Sequence, residues 1–180
     1  MNKWKLLKTD PIHESKWLSL YSDTYEMPDG QEGSGYLRLK RDDYVVIFAI
    51  NDKNEVIVEQ QFRRGVDKVI LELPAGGVNQ DESPEETAKR ELMEETGYKA
   101  TNLKSFMLYP QPAYIEQKAY IVFCNFSDTK SQTKLEHDEY IDFELIKLPD
   151  LEKMVVENKI YDNSLITALG LYKLINTQHD

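Results

Sequence analysis

The sequence predicts a mixed α/β domain of the α+β kind rather than a doubly wound one. Apolar segments with the length and residue types of strands lie on both sides of a single central helix, and two more helices close the chain. With 180 residues the chain is long enough for one domain with a proper core.

The N-terminal part is predicted to form a β-hairpin or small sheet. Residues 16–25 and 35–40 have strand character, and Pro28-Asp29-Gly30 between them is a turn signal. Further strands are predicted at 44–50, 55–62, 69–73, 103–108, 117–126 and 140–148. The polar residues 128–134 are predicted to form a mobile loop.

The central helix has the clearest boundaries. Ser83 has the position of an N-cap, Pro84 suits the first helical position, and Glu86 completes a capping box. Gly97 suits a left-handed C-terminal cap, which leaves about three turns of good helix formers between the two ends.

The closing helices are predicted at residues 151–158 and 163–176. Asp162 is a candidate N-cap for the second of them. The residues Leu165, Ala168, Leu169 and Tyr172 recur at helical spacing, so this face of the helix is predicted to pack in the core.

Composition and charge exclude several classes of function. The net charge of −10 argues against a nucleic-acid binder, which needs a basic face. The longest apolar run, Tyr44–Ile50, is too short to cross a membrane, and the N-terminus lacks the apolar core of a signal peptide. The single cysteine, Cys124, lies in an apolar run and is predicted to be buried, which fits a cytoplasmic protein.

Three carboxylates of the central helix indicate a binding site for a divalent cation. Glu91 and Glu95 lie four residues apart on one face, with Glu94 beside them. Like charges at this spacing repel each other, and a hard divalent cation such as Mg²⁺ relieves that repulsion while it also binds phosphate oxygens. The alternative is a solvated acidic helix. That alternative does not account for Gly76, Glu82, Arg90 and Gly97, which lie at fixed distances along the chain from these carboxylates.

Those offsets resemble the Nudix box, G-x5-E-x7-R-E-U-x-E-E-x-G-U, in which U is a bulky apolar residue. The matching residues are Gly76, Glu82, Arg90, Glu91, Leu92, Glu94, Glu95 and Gly97. Tyr98 departs from the usual aliphatic residue at the last position. The resemblance implies the Nudix fold, in which mixed β-sheets are sandwiched by helices, and it implies hydrolysis of a diphosphate bond.

Segments outside the box are similar to those of ADP-ribose pyrophosphatases and related nucleotide-sugar hydrolases. Residues 59–63 (EQQFR) and 71–76 (LELPAG) resemble the EQYR and ELPAG patterns of that group, and a proline-containing segment and a late acidic stretch follow. Ala113 replaces the glycine of the family's proline-rich segment, and Gln117 stands where a glutamate is frequent. These departures bear on substrate preference.

The resemblance implies roles for the box residues. Glu91 and Glu95 would be the main Mg²⁺ ligands, joined by Glu94 and the backbone carbonyl of Ala75, with Mn²⁺ as a possible substitute. Arg90 would orient the box through ion pairs, with Glu82 as the first candidate partner. Glu139 is the first candidate for a general base and Glu136 the second, and the alternative for both is a solvent-facing acidic stretch.

It also implies substrate contacts. Arg63 would bind the diphosphate, and Glu72 would support the substrate or the loop; the alternative for Arg63 is a surface charge at a strand end. Trp17 and Tyr36 match positions that stack the adenine, partly across a dimer interface, although an aromatic residue in a strand also serves ordinary packing. The expected organisation is a homodimer in which residues 1–42 supply dimerisation and base binding and residues 43–180 form the hydrolase domain.

The function implied is Mg²⁺-dependent hydrolysis of ADP-ribose to AMP and ribose 5-phosphate. One alternative is a diphosphatase for another nucleoside diphosphate sugar, such as GDP-mannose, UDP-glucose or ADP-glucose. The other is a catalytically silent domain that binds a nucleotide, which the presence of Glu91, Glu94 and Glu95 disfavours.

Overall fold

The computed structural model describes residues 2–109, 112–130, 133 and 141–177 of the chain. They belong to two compact units. The first unit draws on residues 1–43 and 108–119, and the second on residues 44–107 and 120–180. The α+β architecture predicted from the sequence is confirmed, with three helices and two sheets in the described part of the chain.

The first unit is a four-stranded sheet. Its strands, in spatial order, are β1 (Lys5–Glu14), β2 (Ser19–Glu26), β3 (Glu32–Lys40) and the short β9 (Ile115–Glu116). The first three are antiparallel, while β9 joins β3 in parallel. The predicted N-terminal small sheet is therefore present, but it contains β1, which the sequence did not predict.

A buried ion pair joins the strands of this sheet. Arg38 on β3 donates from Nε to Asp23 Oδ2 on β2 at 2.6 Å, and Thr9 Oγ1 on β1 donates to Asp23 Oδ1 at 2.8 Å. Asp23 is only 6% exposed, and the Arg38 guanidinium holds the pKa of this carboxyl below its ordinary value. Arg38 also pairs with Glu116, so a single side chain connects the hairpin to the 112–119 segment.

The second unit contains a seven-stranded sheet. Its main path runs β11 (Ile141–Lys147), β5 (Glu55–Arg63), β4 (Tyr44–Ile50), β10 (Ala119–Lys130) and β8 (Tyr98–Leu108), with β6 (Lys68–Glu72) paired to β5 and β7 (Ala75–Gly77) paired to β4. The predicted strand 103–108 begins earlier, at Tyr98, whose ring packs between Phe126 and Phe143. Strand β10 continues to Lys130, into the predicted loop at 128–134, whose residues 131, 132 and 134 lie outside the described part.

Three helices accompany this sheet: α1 (Pro84–Thr96), α2 (Leu148–Val156) and α3 (Asn163–Asn176). Helix α1 buries Ala88 and Leu92 in a core with Val45 and Ile47 of β4. The predicted helix 151–158 begins instead at Leu148, because β11 ends at Lys147 and a proline occupies the first turn. Asp162 caps α3 by accepting a hydrogen bond from the Leu165 backbone at 2.6 Å, as predicted.

The core prediction for the closing helix is confirmed. Tyr172 stacks on Phe48 of β4 with 4.8 Å between ring centroids, and Leu165 and Leu169 are buried. Cys124 is 4% exposed, and burial raises the pKa of its thiol to about 12. Across the residues that the structure describes, no helix combines the length and apolar character needed to span a bilayer.

Candidate active site

The site begins where β7 enters the sheet. Ala75 lies opposite Val46 and Gly76 opposite Val45, and the carbonyl of Pro74 accepts a hydrogen bond from Ile47 N at 2.8 Å. Sequence reasoning did not predict this three-residue strand, because its pairing with β4 is a long-range contact. The pairing fixes the backbone of Ala75, whose carbonyl is the candidate metal ligand.

Helix α1 has the ends that its sequence specifies. Ser83 Oγ accepts a hydrogen bond from Glu86 N at 3.2 Å, and Glu86 Oε2 accepts one from Ser83 N at 2.8 Å. Gly97 adopts φ 77°, in the left-handed region, and donates to the Met93 carbonyl at 3.0 Å. Both ends of the helix that carries the three candidate carboxylates are thus fixed by local chemistry.

Arg90 is the centre of the charged network. Its Nε donates to Glu82 Oε1 at 2.9 Å, and its Nη1 donates to Glu91 Oε1 at 2.7 Å and to Glu94 Oε2 at 3.2 Å. Its Nη2 donates to the Gly77 carbonyl at 3.1 Å. The ion pair expected between Arg90 and Glu82 is present, and Arg90 also connects the helix to the strand that precedes it.

Glu82 is the strongest anchor in this network. Besides Arg90 it accepts hydrogen bonds from Thr87 Oγ1 and Asn79 Nδ2, each at 3.0 Å. The Arg90 guanidinium is the main cause that lowers the pKa of Glu82 to about 2, and the Glu82 carboxylate in turn raises the pKa of Arg90. Thr87 is completely buried, and sequence reasoning missed it because its position in the box carries no fixed residue type.

The candidate metal ligands differ in exposure. The side chain of Glu91 is 12% exposed and that of Glu94 is 36% exposed, while Glu95 as a residue is 5% exposed. Glu91 lies directly against the backbone of Gly76, in space that a Cβ on that residue would fill. The Glu91 carboxylate therefore lies between the helix and β7, and Glu95 is buried.

The donor chemistry of this pocket fits a hard divalent cation. Carboxylate and carbonyl oxygens are the ligands that Mg²⁺ takes in proteins. Within the described residues, however, no three carboxylate, imidazole or thiol groups are already arranged as a metal-binding set. Arg90 engages Glu91 and Glu94 instead, so a cation that uses Glu91 has to compete with the guanidinium.

Arg63 and Glu72 form a second charged group on the β5–β6 hairpin. Arg63 Nε lies 2.8 Å from Glu72 Oε1, and Arg63 Nη2 lies 2.6 Å from Glu72 Oε2. The side chain of Arg63 is 47% exposed and that of Glu72 is 13% exposed. Glu72 raises the pKa of Arg63, and Asp162 contributes a further attraction. The two residues are brought together, and the Nη1 group of Arg63 takes no part in this pair.

The two aromatic candidates belong to the first unit. Trp17 is 67% exposed and has the ammonium of Lys16 4.5 Å from its ring centroid. Tyr36 is 38% exposed and contacts two other aromatic rings. Tyr36 lies opposite Asp23 in the sheet, whereas Trp17 precedes Ser19 at the other end of β2. Trp17 and Tyr36 are thus at least four strand positions apart, about 13 Å along the sheet.

Of the remaining residues singled out in the sequence, some lie in the described part of the chain and others do not. Glu139 and Glu136 lie outside the described residues. Gln117 donates from its side-chain amide to the Asp42 carbonyl, and Lys118 N donates to Asp43 Oδ1 at 2.7 Å. Gln117, which stands where a glutamate is frequent in the family, therefore donates a hydrogen bond. This bond connects the 112–119 segment to the residues that follow β3.

Comparison with known proteins identifies the protein family to which this fold and helix α1 belong. The model of the NUDIX domain family matches residues 40–164, which include all of β4 to α2 and the charged network around Arg90. The chain belongs to the Nudix family and is a Nudix hydrolase.

Three relatives are similar over most of the chain, and two of them are named as pyrophosphatases. ADP-ribose pyrophosphatase of Bacillus subtilis (strain 168) is 30% identical over 172 residues, which cover 94% of this chain and 92% of the relative. The methanol dehydrogenase activator of Bacillus methanolicus is 28% identical with the same coverage. GDP-mannose pyrophosphatase of Klebsiella pneumoniae is 27% identical over 89% of this chain and 87% of the relative.

A solved structure supports the fold. The crystal structure of an ADP compounds hydrolase superposes with a TM-score of 0.86, at 22% identity, over 99% of this chain and 97% of that one. The Nudix fold expected from the sequence is therefore confirmed for this chain.

Proposed function

We propose that this Nudix hydrolase cleaves the diphosphate bond of ADP-ribose, adding water to give AMP and ribose 5-phosphate. The observation that carries the proposal is the network in which Arg90 joins Glu82, Glu91 and Glu94 beside the Ala75–Gly76 backbone. Similarity over 94% of the chain to an ADP-ribose pyrophosphatase supports the choice of substrate. The lone buried Cys124 fits a cytoplasmic setting.

The proposed cofactor is Mg²⁺, with Mn²⁺ as a possible substitute, held by Glu91, Glu95, Glu94 and the Ala75 carbonyl. When bound, the ion would neutralise charge on the diphosphate and make a bound water acidic enough to act as nucleophile. The protein's own contribution is to hold these oxygens in place. The Glu82–Arg90 pair ties α1 to the segment before it, so that the carboxylates and the carbonyl keep a fixed relation.

Arg63 is the proposed diphosphate ligand, and Glu72 is proposed to orient it. The pair engages Nε and Nη2, which leaves Nη1 to donate to a phosphate oxygen. Direct contact between Glu72 and an anionic substrate is unfavourable, so support of Arg63 accounts better for its position. The general base proposed from the sequence is Glu139, then Glu136.

Adenine binding is proposed to need two copies of the chain. Trp17 and Tyr36 lie at different levels of one sheet, and the rings that contact Tyr36 are those of Trp4 and Tyr25, further still from Trp17 along the strands. The proposed arrangement therefore takes Trp17 from one protomer and Tyr36 from its partner to hold one flat base. This supports a homodimer in which residues 1–42 supply dimerisation and base binding.

A second candidate substrate is GDP-mannose, because a GDP-mannose pyrophosphatase covers most of the chain at 27% identity. The deciding experiment is chromatography of products after incubation with Mg²⁺ and ADP-ribose, ADP-glucose, GDP-mannose or UDP-glucose, with Glu95→Gln as the inactive control. AMP from ADP-ribose, absent in the control, supports the proposal. Turnover of GDP-mannose alone keeps the reaction class and replaces the substrate. Tight nucleotide binding without any turnover would indicate a silent binding domain.

A further inference from the structure

Three aromatic rings form a cluster at one end of the N-terminal sheet. Trp4 stacks on Tyr25 with 4.5 Å between ring centroids and 19° between ring planes. Tyr36 stands edge-on to both, 6.5 Å from Trp4 at 78° and 6.1 Å from Tyr25 at 88°. Stacked and edge-to-face arrangements are the favourable geometries for aromatic pairs. The ring of Tyr36 therefore has two neighbouring rings, both nearly perpendicular to its plane.

The backbone makes room for this arrangement. Gly33 lies opposite Tyr25 on β3, and a Cβ on Gly33 would come within 2.6 Å of the Tyr25 ring. A glycine inside a strand weakens the sheet unless a side chain covers it, and here the Tyr25 ring lies across the glycine backbone. The pairing of β2 and β3 is also irregular between Asp23 and Tyr25. The Tyr25 ring therefore lies against the Gly33 backbone and is stacked with Trp4.

The cluster is open to solvent to an extent that packing alone does not explain. Trp4 is 52% exposed and Tyr36 is 38% exposed. A cluster that served only to stabilise the sheet would gain most by burying these rings, since aromatic side chains contribute mainly through buried area. The exposed rings suit a flat and uncharged ligand group. On a chain with net charge −10, the base is the part of a nucleotide that meets least repulsion.

We propose that Trp4 and Tyr25 are positioning residues for nucleobase recognition, which hold the Tyr36 ring in the plane that stacks on the base. The inference rests on the proposed function, because the base belongs to the nucleotide substrate. A ring held in its binding orientation loses less conformational freedom when the ligand arrives. Loss of either neighbour leaves Tyr36 present but free to rotate, so base affinity falls without loss of the stacking residue.

The test compares ligands that differ by the base. Calorimetric titrations with AMP and with ribose 5-phosphate are made on wild type, Trp4→Leu, Tyr25→Leu and Tyr36→Leu, with steady-state kinetics on ADP-ribose. Stacking on one base typically supports roughly a tenfold difference in affinity. We expect each variant to bind AMP about tenfold more weakly and to show a raised KM with nearly unchanged kcat, while ribose 5-phosphate affinity stays constant.

Two further variants separate positioning from folding. Trp4→Phe keeps a ring and is expected to restore most of the AMP affinity. Tyr161→Leu removes an exposed ring of the second unit and is expected to change nothing. Thermal melts monitor the fold, and light scattering monitors the oligomeric state.

The inference is overturned if Trp4→Leu and Tyr25→Leu remain folded and bind AMP like wild type, or if they change only the oligomeric state. In that case turnover of ADP-ribose by wild type leaves the proposed function standing. Wild type that neither hydrolyses ADP-ribose nor binds AMP overturns both.

Discussion

The backbone of Gly76 and the side chain of Glu91 are in direct contact. A Cβ on residue 76 would lie 1.9 Å from Glu91 Oε1 and 2.0 Å from its Cδ. The strand cannot retreat, because Gly76 is paired with Val45 of β4. The glycine at the start of the box therefore has a steric reason: it leaves the space in which the Glu91 carboxylate lies.

Replacing Gly76 by alanine is expected to displace Glu91 and lower kcat/KM about 100-fold, the loss typical of an ångström-scale error in a catalytic group. The fold should survive, since the clashing atoms belong to the end of a flexible side chain. Steady-state kinetics and a thermal melt on the same preparation measure the two effects.

Gly77→Ala is the matched control, because a Cβ there meets no atom within 4 Å. It should retain activity close to wild type. Equal losses in both variants would show that the strand, and not the Glu91 carboxylate, is what the alanine disturbs.

Glu82 should make stability depend on pH in the acid range. Arg90 lowers its pKa to about 2, from 4.5 for the unperturbed group. A lowered pKa means that the stabilisation is complete above the unfolded value of 4.5 and is lost as pH falls through 2. Glu82→Gln should lower the free energy of unfolding by about 1.5–3 kcal/mol at pH 7, the scale of a hydrogen bond to a charged group.

The difference between Glu82→Gln and wild type should shrink as pH falls from 4.5 through 2, because below that pH both proteins carry a neutral group at residue 82. Urea unfolding at a series of pH values, monitored by circular dichroism, measures it. A difference that stayed constant over this range would assign the effect to packing.

Arg63→Lys should raise KM for the nucleotide substrate about tenfold with a smaller effect on kcat. Lysine keeps the charge but lacks the planar fork with which arginine holds Glu72 and, in the proposed function, also binds a phosphate oxygen. Arg64→Lys is the control, since that side chain is 85% exposed and pairs only with Asp67 among the contacts described. Equal KM values for the two variants would remove Arg63 from the substrate site.

Cys124 should resist thiol reagents in the folded protein. Its side chain is buried, and burial raises the pKa of the thiol to about 12, so very little thiolate exists at pH 8. A chromogenic disulfide reagent is expected to detect almost no thiol in native protein and one thiol per chain after denaturation. Rapid reaction of the native protein would show local opening of β10.

The sequence predicted structure best where that structure depends on interactions between residues close together in the chain. Ser83, Glu86 and Gly97 delimit α1 through contacts within a few residues, and the predicted helix agrees with the observed one. Buried strands such as Tyr44–Ile50 were also predictable, since a continuous apolar run has few alternatives.

Strands that depend on distant partners were not predictable. Nearly every residue of β1 is exposed and Pro11 lies within it, so its sequence has neither alternation nor an apolar run. The parallel pairing of β9 with β3 joins residues more than 70 positions apart. In the site, the sequence identified the charged residues. The Gly76–Glu91 contact and the burial of Thr87 could not be predicted, because both depend on how α1 packs against distant parts of the chain.

The proposed role of helix α1 places stability and activity in opposition. Its acidic first turn is favourable, but Glu91, Glu94 and Glu95 lie in its C-terminal half, where the helix dipole is also negative, and its last turn, described throughout, contains no basic residue. Under the proposed function, neutral residues at these positions would relieve the unfavourable interaction with the helix dipole but would also remove the proposed metal ligands. A heat-tolerant variant of this enzyme must gain its stability elsewhere, which leaves α1 as the part of the chain least able to improve.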